Sequence, residues 1–417
     1  MKDNKLTIRG GKPLKGELEI TGAKNSALPL LASSLLTNKP LQLSNVPDLK
    51  DVQTMLDMVT GLGKEVSSED GSVRIDGKVE SNVAPAQLVK KMRASFLVLA
   101  PLVARTGRAE VPIPGGCNIG TRPVDLHLKG LKRLGVGIRQ DDGRIVAEAD
   151  ELTGNDVFLN YPSVGATEQL IMAATLAKGR TEIYNCAQEP EIRDLAKFLN
   201  RMGAEVSVNG SITRITGVDE LGGGEHRVMS DRIAAGTYLL AGAATAGEVE
   251  AKNVNVTALK PLSLKLESAG VEVKERDRSL KVENSERPDN LEVITLPYPG
   301  FPTDLQAPMT ALLTLARGKS VIKETVFDSR FDHVPELNKM GADISVTNSN
   351  TVFVNGKQGL RGTEVDATDI RAGASLVIGG LAARGKTTIT GTEHLDRGYS
   401  NLVEKLRSLG AEVSRGS

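Results

Sequence analysis

The segment PGGCNIGTRPVDLH, Pro114 to His127, sets a lone thiol, Cys117, behind two glycines and a proline and five residues ahead of Arg122. Such a stretch reads as a mobile loop, so the thiol is open to solvent and to anionic ligands. An unperturbed thiol has a pKa of about 8.5 and is mostly protonated near neutral pH. It can donate a proton, or attack as its thiolate fraction. Free cysteine also serves as a small apolar filler, and local residue types leave both roles open. Cys186, in the strand-like TEIYNCA, reads as filler.

Charges recur beside small residues elsewhere. TGAKNSALPL carries Lys24 and Asn25, KKMRAS carries Arg93, and FPTDLQAP carries Asp304. ATDIRAGASL adds Asp369 and Arg371, and TEHLDRGYSNL adds Asp396 and Arg397. Each charge stands just before an Ala/Leu-rich helix, whose free amides favour anions. A single one is an ordinary cap or solvated side chain; their recurrence at one place in a repeat points to a converging anion site. The histidines, His127, His226, His333 and His394, show no metal-ligand spacing, and no Ser/His/Asp elbow is present. A mechanism without metal or cofactor is expected.

These residues hang on a sixfold internal pattern: an amphipathic helix that ends in glycine and runs into a strand. The copies MVTGLGKEV, LKRLGVGI, FLNRMGAEV, LESAGVEV, ELNKMGADI and LRSLGAEV share Gly63, Gly135, Gly203, Gly270, Gly341 and Gly410, 67 to 72 residues apart. Leu or Met at helical spacing gives one apolar stripe, the glycine suits a left-handed C′ position, and the β-branched residue after it starts a strand. In five units an Ala/Leu-rich helix, a glycine and an alternating strand precede this element, as in ATLAKGRTEIYN and LTLARGKSVIKE. A layer of sheet and helix follows for each unit, hence two domains of three units, with a boundary in GGGEHRVMSDR, Gly222 to Arg232.

The same pattern disposes of a phosphate loop. GLAARGKT, Gly380 to Thr387, satisfies G-x-x-x-x-G-K-[ST]. A phosphate loop needs a strand before it and a helix after it. Here an Ala-rich helix comes first and TTIT follows, the ordinary junction of the repeat.

Composition narrows the partners. A chain of 417 residues exceeds one usual core. With 52 basic and 52 acidic residues, no global field draws it to nucleic acid or an anionic membrane. Aromatics are 3% and Trp is absent, which leaves few stacking platforms. The longest apolar run, Phe96 to Ala104, is too short to span a bilayer, and MKDNKLTIRG lacks the apolar stretch of a secretory signal. Two cysteines fit a reducing cytoplasm.

TGAKN, KMRAS, PGGCNIGTRPVDLH, SVGATE, EPEIRD, FPTDLQAP, ETVFDSRF, MGAD, ATDIRA and LDRGY, in order and spacing, resemble the enolpyruvyl transferases that act on UDP-N-acetylglucosamine. The resemblance covers essentially the whole chain. It implies an α/β fold, the two-domain inverted α/β barrel, with three β-α-β-α-β-β units per domain and an active site between the domains. The chain would cross twice, so that residues 1–21 join 231–417 and residues 22–230 form the other domain.

The implied reaction moves the enolpyruvyl group of phosphoenolpyruvate to the 3′-hydroxyl of the amino sugar by addition and elimination, releasing phosphate, with the first committed step of peptidoglycan precursor synthesis as its setting. Matching residue by residue, Asp304 is the base and Cys117 the acid, a thiol that can also add phosphoenolpyruvate and that fosfomycin would alkylate. Lys24, Asn25, Arg122 and Arg397 bind phosphoenolpyruvate. Arg93, Arg122, Pro123, Val124, Asp125, Leu126, Ser163, Val164, Gly165, Asp304 and Val326 bind the nucleotide sugar. Asp51, Asp328, Arg330, Asp369 and Arg371 support the site. Two positions depart from the pattern: Tyr161 stands where some members carry lysine, and Asp328 where glutamate is familiar. The sister transferase acting on shikimate 3-phosphate and a non-enzymatic ring of six repeats are the rival readings. The sequence assigns no oligomeric state.

Overall fold

The computed structural model describes residues 5–113 and 124–416. It divides into two compact units, one of residues 22–113 and 124–229, the other of 5–21 and 230–416, each with its own apolar core.

The local pattern is clearest in the second unit. Strand Glu292–Ile294 leads into the buried helix Gln306–Leu313, strand Lys319–Lys323, helix His333–Lys339, and the hairpin strands Asp343–Asn348 and Thr351–Asn355. The central strand pairs in parallel with the first and antiparallel with the last. The reason lies in side-chain pattern. Gln306–Leu313, apolar except for Gln306 and Thr310, is buried on every side, whereas His333–Lys339 leaves its lysine end in solvent.

Among the described residues five sheets have four strands; the sixth, Arg108–Pro112, Arg144–Glu148 and Gly137–Asp141, has three, with an isolated Val83–Glu110 bridge where a fourth would lie. In the second unit the buried helices Arg232–Ala244, Gln306–Leu313 and Ile370–Ala382 pack on one another. In the first, Leu99–Thr106 packs on Val164–Ala174, and Lys24–Ser33 packs on the turn Arg93–Val98.

All six repeat glycines have positive φ, from +79° to +108°. At Gly203 a Cβ would meet nothing within 4 Å, so the conformation and not crowding requires glycine. Gly203 N donates to Asn200 O at 3.1 Å and Ala204 N to Leu199 O at 3.0 Å, which closes the helix end as a Schellman motif. Gly385 follows helix Ile370–Ala382 and opens strand Gly385–Thr390, so GLAARGKT is a helix-to-strand junction. Cys186 is buried, with Sγ 3.2 Å from Thr213 Oγ1, and burial raises its thiol pKa.

Candidate active site

In the second unit the site is built on helix starts. Asp369 caps Ile370–Ala382, accepting from Arg371 N at 2.7 Å and Ala372 N at 3.1 Å. That bond fixes the first turn, from which the buried Arg371 side chain reaches across the unit. Its Nη2 donates to Asp304 Oδ2 at 2.7 Å and its Nη1 to Tyr399 Oη at 3.2 Å. Burial works against the guanidinium charge, but Asp304, Tyr399 and Asp231 outweigh it and drive the pKa of Arg371 above its usual value.

Asp304 lies in the single turn Thr303–Leu305 that opens Gln306–Leu313. Arg330 takes its other oxygen: Nη2 donates to Oδ1 at 2.8 Å, and Nη1 to Thr303 Oγ1 at 2.7 Å. Thr303 in turn donates to Glu324 Oε2 at 2.9 Å. Buried Glu324 also accepts from Thr295 Oγ1 at 2.7 Å, Val326 N at 2.8 Å and Phe327 N at 3.1 Å. One carboxylate therefore sets both the Val326 backbone and, through Thr303 and Arg330, the Asp304 carboxylate. Asp328 is exposed beyond this turn. Arg397 sits in the turn Leu395–Arg397, packed against helix Ile370–Ala382: a Cβ on Gly398 would come within 2.6 Å of Ile370 Cγ2 and one on Gly373 within 2.9 Å of Leu395. Neighbouring Asp396 is bound by Arg415.

Beside Arg330 lies His333, shut off from water, its pKa pushed down to about 4 by burial, with Asp369 opposing and Arg330 assisting. An unfolded histidine titrates near about 6.5. Below that pH the unfolded chain binds a proton that the folded chain refuses, so stability falls as pH drops from 6.5 to 4, by about 1.4 kcal/mol per pH unit from this group. We expect His333→Gln to remove that share of the slope in chemical denaturation measured across this range; an unchanged slope would refute the buried neutral state.

The first unit holds two groups. Lys24 opens helix Lys24–Ser33 and Asp51 lies in the first turn of Lys50–Gly61; Lys24 Nζ and Asp51 Oδ2 are 3.2 Å apart with side chains only 11% and 7% exposed. Asn25 is half-buried next to Lys24.

The other group gathers around an imidazole. Arg93 begins the turn Arg93–Val98, Val124 precedes helix Asp125–Arg133, and Ser163 caps Val164–Ala174 by accepting from Ala166 N at 3.3 Å. His127 sits among them, edge-on to Phe96 at 5.6 Å between ring centroids, and its Cε1 would be 3.0 Å from a Cβ on Gly165. Burial lowers the His127 pKa to about 4; the nearby polar side chain of Gln169 and the charge of Asp125 oppose this, while Arg93 adds to it. Asp125 pairs with Lys129 at 3.1 Å, Leu126 is half-buried, and Tyr161 O accepts from Ser163 N at 2.7 Å. One turn on, Glu168 is buried, and burial with nearby Glu191 and Glu189 raises its pKa well above the carboxylate range.

Cys117, Arg122 and Pro123 lie outside the described residues. Arg93, Val124, Asp125, Leu126 and Ser163 to Gly165 come together in the first unit, with Lys24, Asn25 and Asp51 at a second place in it. Asp304, Val326, Arg330, Asp369, Arg371 and Arg397 come together in the second. Sequence reasoning passed over His127, Gln169, Glu324, Thr303 and Tyr399. The available signal was a glutamate two residues before Val326 in KETVFDSR and a histidine closing PVDLH. Among the described residues no cluster of His, Cys, Asp or Glu could hold a metal, and no helix is long and apolar enough to cross a membrane.

A family model described as EPSP synthase (3-phosphoshikimate 1-carboxyvinyltransferase) matches residues 8–406, so the chain belongs to this family of carboxyvinyl, or enolpyruvyl, transferases and is not a scaffold of repeats. Within the family it is 51% identical, over 99% of both chains, to UDP-N-acetylglucosamine 1-carboxyvinyltransferase 2 of Carboxydothermus hydrogenoformans. It is 50% identical, again over 99% of both, to UDP-N-acetylglucosamine 1-carboxyvinyltransferase of Desulforapulum autotrophicum. The enolpyruvyl transferase NikO from Streptomyces tendae superposes with a TM-score of 0.90 at 25% identity, covering 100% of this chain and 99% of that one. EPSP synthase from Acinetobacter baumannii gives 0.75 at 19% identity, over 99% of this chain and 100% of that one, and so shares the fold alone. The two-domain enolpyruvyl transferase fold that the resemblance implied is thus the fold of this chain.

Proposed function

We propose that the protein transfers the enolpyruvyl group of phosphoenolpyruvate to the 3′-hydroxyl of UDP-N-acetylglucosamine, releasing phosphate, as the first committed step of peptidoglycan precursor synthesis in the cytoplasm. The choice of acceptor rests on the 51% identity, over 99% of both chains, with a relative named for that sugar nucleotide.

In the addition, Asp304 takes the hydroxyl proton, the oxygen attacks C2 of phosphoenolpyruvate, and Cys117 protonates C3. In the elimination C3 gives up a proton, the vinyl group re-forms and phosphate leaves. The Asp304 carboxylate supports its role because two guanidinium groups, one on each oxygen, fix its orientation with charged donors. Lys24, Asn25, Arg122 and Arg397 hold the phosphate and carboxylate of phosphoenolpyruvate. Arg93, residues 122–126, Ser163 to Gly165 and Val326 hold the nucleotide sugar, and Asp51, Asp328, Arg330, Asp369 and Arg371 keep these groups in place.

Phosphate release measured with phosphoenolpyruvate and either UDP-N-acetylglucosamine or shikimate 3-phosphate tests the reading. Release is expected with the sugar nucleotide alone and should stop once fosfomycin has alkylated Cys117. Release with shikimate 3-phosphate instead, or with neither acceptor, would overturn it.

A further inference from the structure

Behind Lys24 and Asn25 lies a buried polar network that the reaction itself does not use. Asp194, on helix Pro190–Arg201, is buried with Ser26 and His226. Ser26 Oγ donates to Asp194 Oδ2 at 2.5 Å, Met229 N donates to the same oxygen at 3.1 Å, and His226 Nε2 lies 3.0 Å from Oδ1. Arg201 Nη1 lies 2.8 Å from His226 Nδ1. An arginine can only donate, so Nδ1 carries the lone pair and Nε2–H donates to Asp194. The carboxylate thus receives three donors, which is what a buried charge requires.

This is not a nucleophilic triad. Ser26 and His226 bond the carboxylate rather than each other, and the Ser26 hydroxyl is closed to solvent.

The donors come from two chain segments, 22–26 and 226–229. Ala23 N donates to Met229 O at 2.7 Å, Asn45 Nδ2 to Val228 O at 2.8 Å, and a Cβ on Gly22 would sit 1.9 Å from Asn45 O. The backbone therefore has one arrangement here, and Asp194 pins both segments of it. Ser26 lies in the same helical turn as Lys24 and Asn25.

We infer that Asp194 is a positioning residue, which through Ser26 holds the first turn of Lys24–Ser33 in the orientation that lets Lys24 and Asn25 take phosphoenolpyruvate. This rests on the reaction proposed above.

Phosphate release, with each substrate varied in turn, should be measured for the unmodified protein, Ser26→Ala, Asp194→Asn and the double variant, alongside thermal melting. The expected result is a rise of about fivefold or more in KM for phosphoenolpyruvate in each single variant, with KM for UDP-N-acetylglucosamine within about twofold. The double variant should be no worse than Asp194→Asn, because the two side chains act as one unit. Additive effects, or an unchanged KM for phosphoenolpyruvate in Ser26→Ala, would overturn the inference. Should Asp194→Asn fail to fold, Ser26→Ala decides alone. An unmodified protein that releases no phosphate refutes the reaction, whereas normal release with no KM split refutes only the positioning role.

Discussion

Asp304→Asn is expected to lower kcat by about a thousandfold, because the amide cannot take the hydroxyl proton and a positioned base contributes roughly 10²–10⁴ in rate. The change is nearly isosteric, but the surroundings are not indifferent to it. Arg371 and Arg330 each donate to one carboxylate oxygen, and the amide nitrogen must face one of these donors. One guanidinium then loses its acceptor, and KM for the sugar nucleotide should rise with the fall in kcat. Steady-state phosphate release with thermal melting checks this: a folded variant that keeps a tenth of the original kcat would remove Asp304 from the base role.

Arg371→Met should be the most destabilising single change in the site. Methionine fills similar space, but Asp304 Oδ2 and Tyr399 Oη lose their donor together. Breaking a buried ion pair from one side costs about 3–5 kcal/mol. For a unit of this size that corresponds to a fall in Tm of roughly 10 °C. Activity should fall as well, since Asp304 would lose the guanidinium that orients its Oδ2. Arg371→Lys should recover part of the stability and little of the rate, because one ammonium does not reproduce the forked contact to both partners. Melting within about 2 °C of the unmodified protein would show that the pair contributes little net stability.

Which parts of this arrangement could be read from the chain follows from the range of the interactions. The six glycines were legible because a helix end is a local event: apolar spacing, a residue that tolerates positive φ and a β-branched successor suffice. Asp304, Asp369 and Arg371 were legible for a related reason, since charges at helix starts recur at one place in the repeat. Glu324, His127 and Asp194 were not. Each is placed by partners remote in the chain, Thr295 and Thr303 for Glu324, Phe96 and Gly165 for His127, Ser26 and His226 for Asp194, and nothing in KETVFDSR, PVDLH or EPEIRD says that the polar side chain is turned inward. The single parallel bridge at Val83 in place of a full edge strand was equally hidden, because the other five units supply the strand. Local pattern had found one boundary near residue 230, and the strand partners of Lys5–Gly10 appear only in three dimensions.

Those partners have a bearing on how the chain is made. Lys5–Gly10 lies between Gly385–Thr390 and Glu412–Gly416, antiparallel to both, and Lys15–Glu19 lies beside Glu248–Lys252. By contrast, every described strand of the unit spanning 22–229 finds its neighbours within that span. During vectorial synthesis the inner unit can complete its sheets while Lys5–Gly10 still waits for Gly385–Thr390 and Glu412–Gly416, which follow that unit in the chain. The long wait leaves Leu6 and Ile8 exposed until the end, so the outer unit, the one that carries Asp304, is the part of the molecule most dependent on full-length translation.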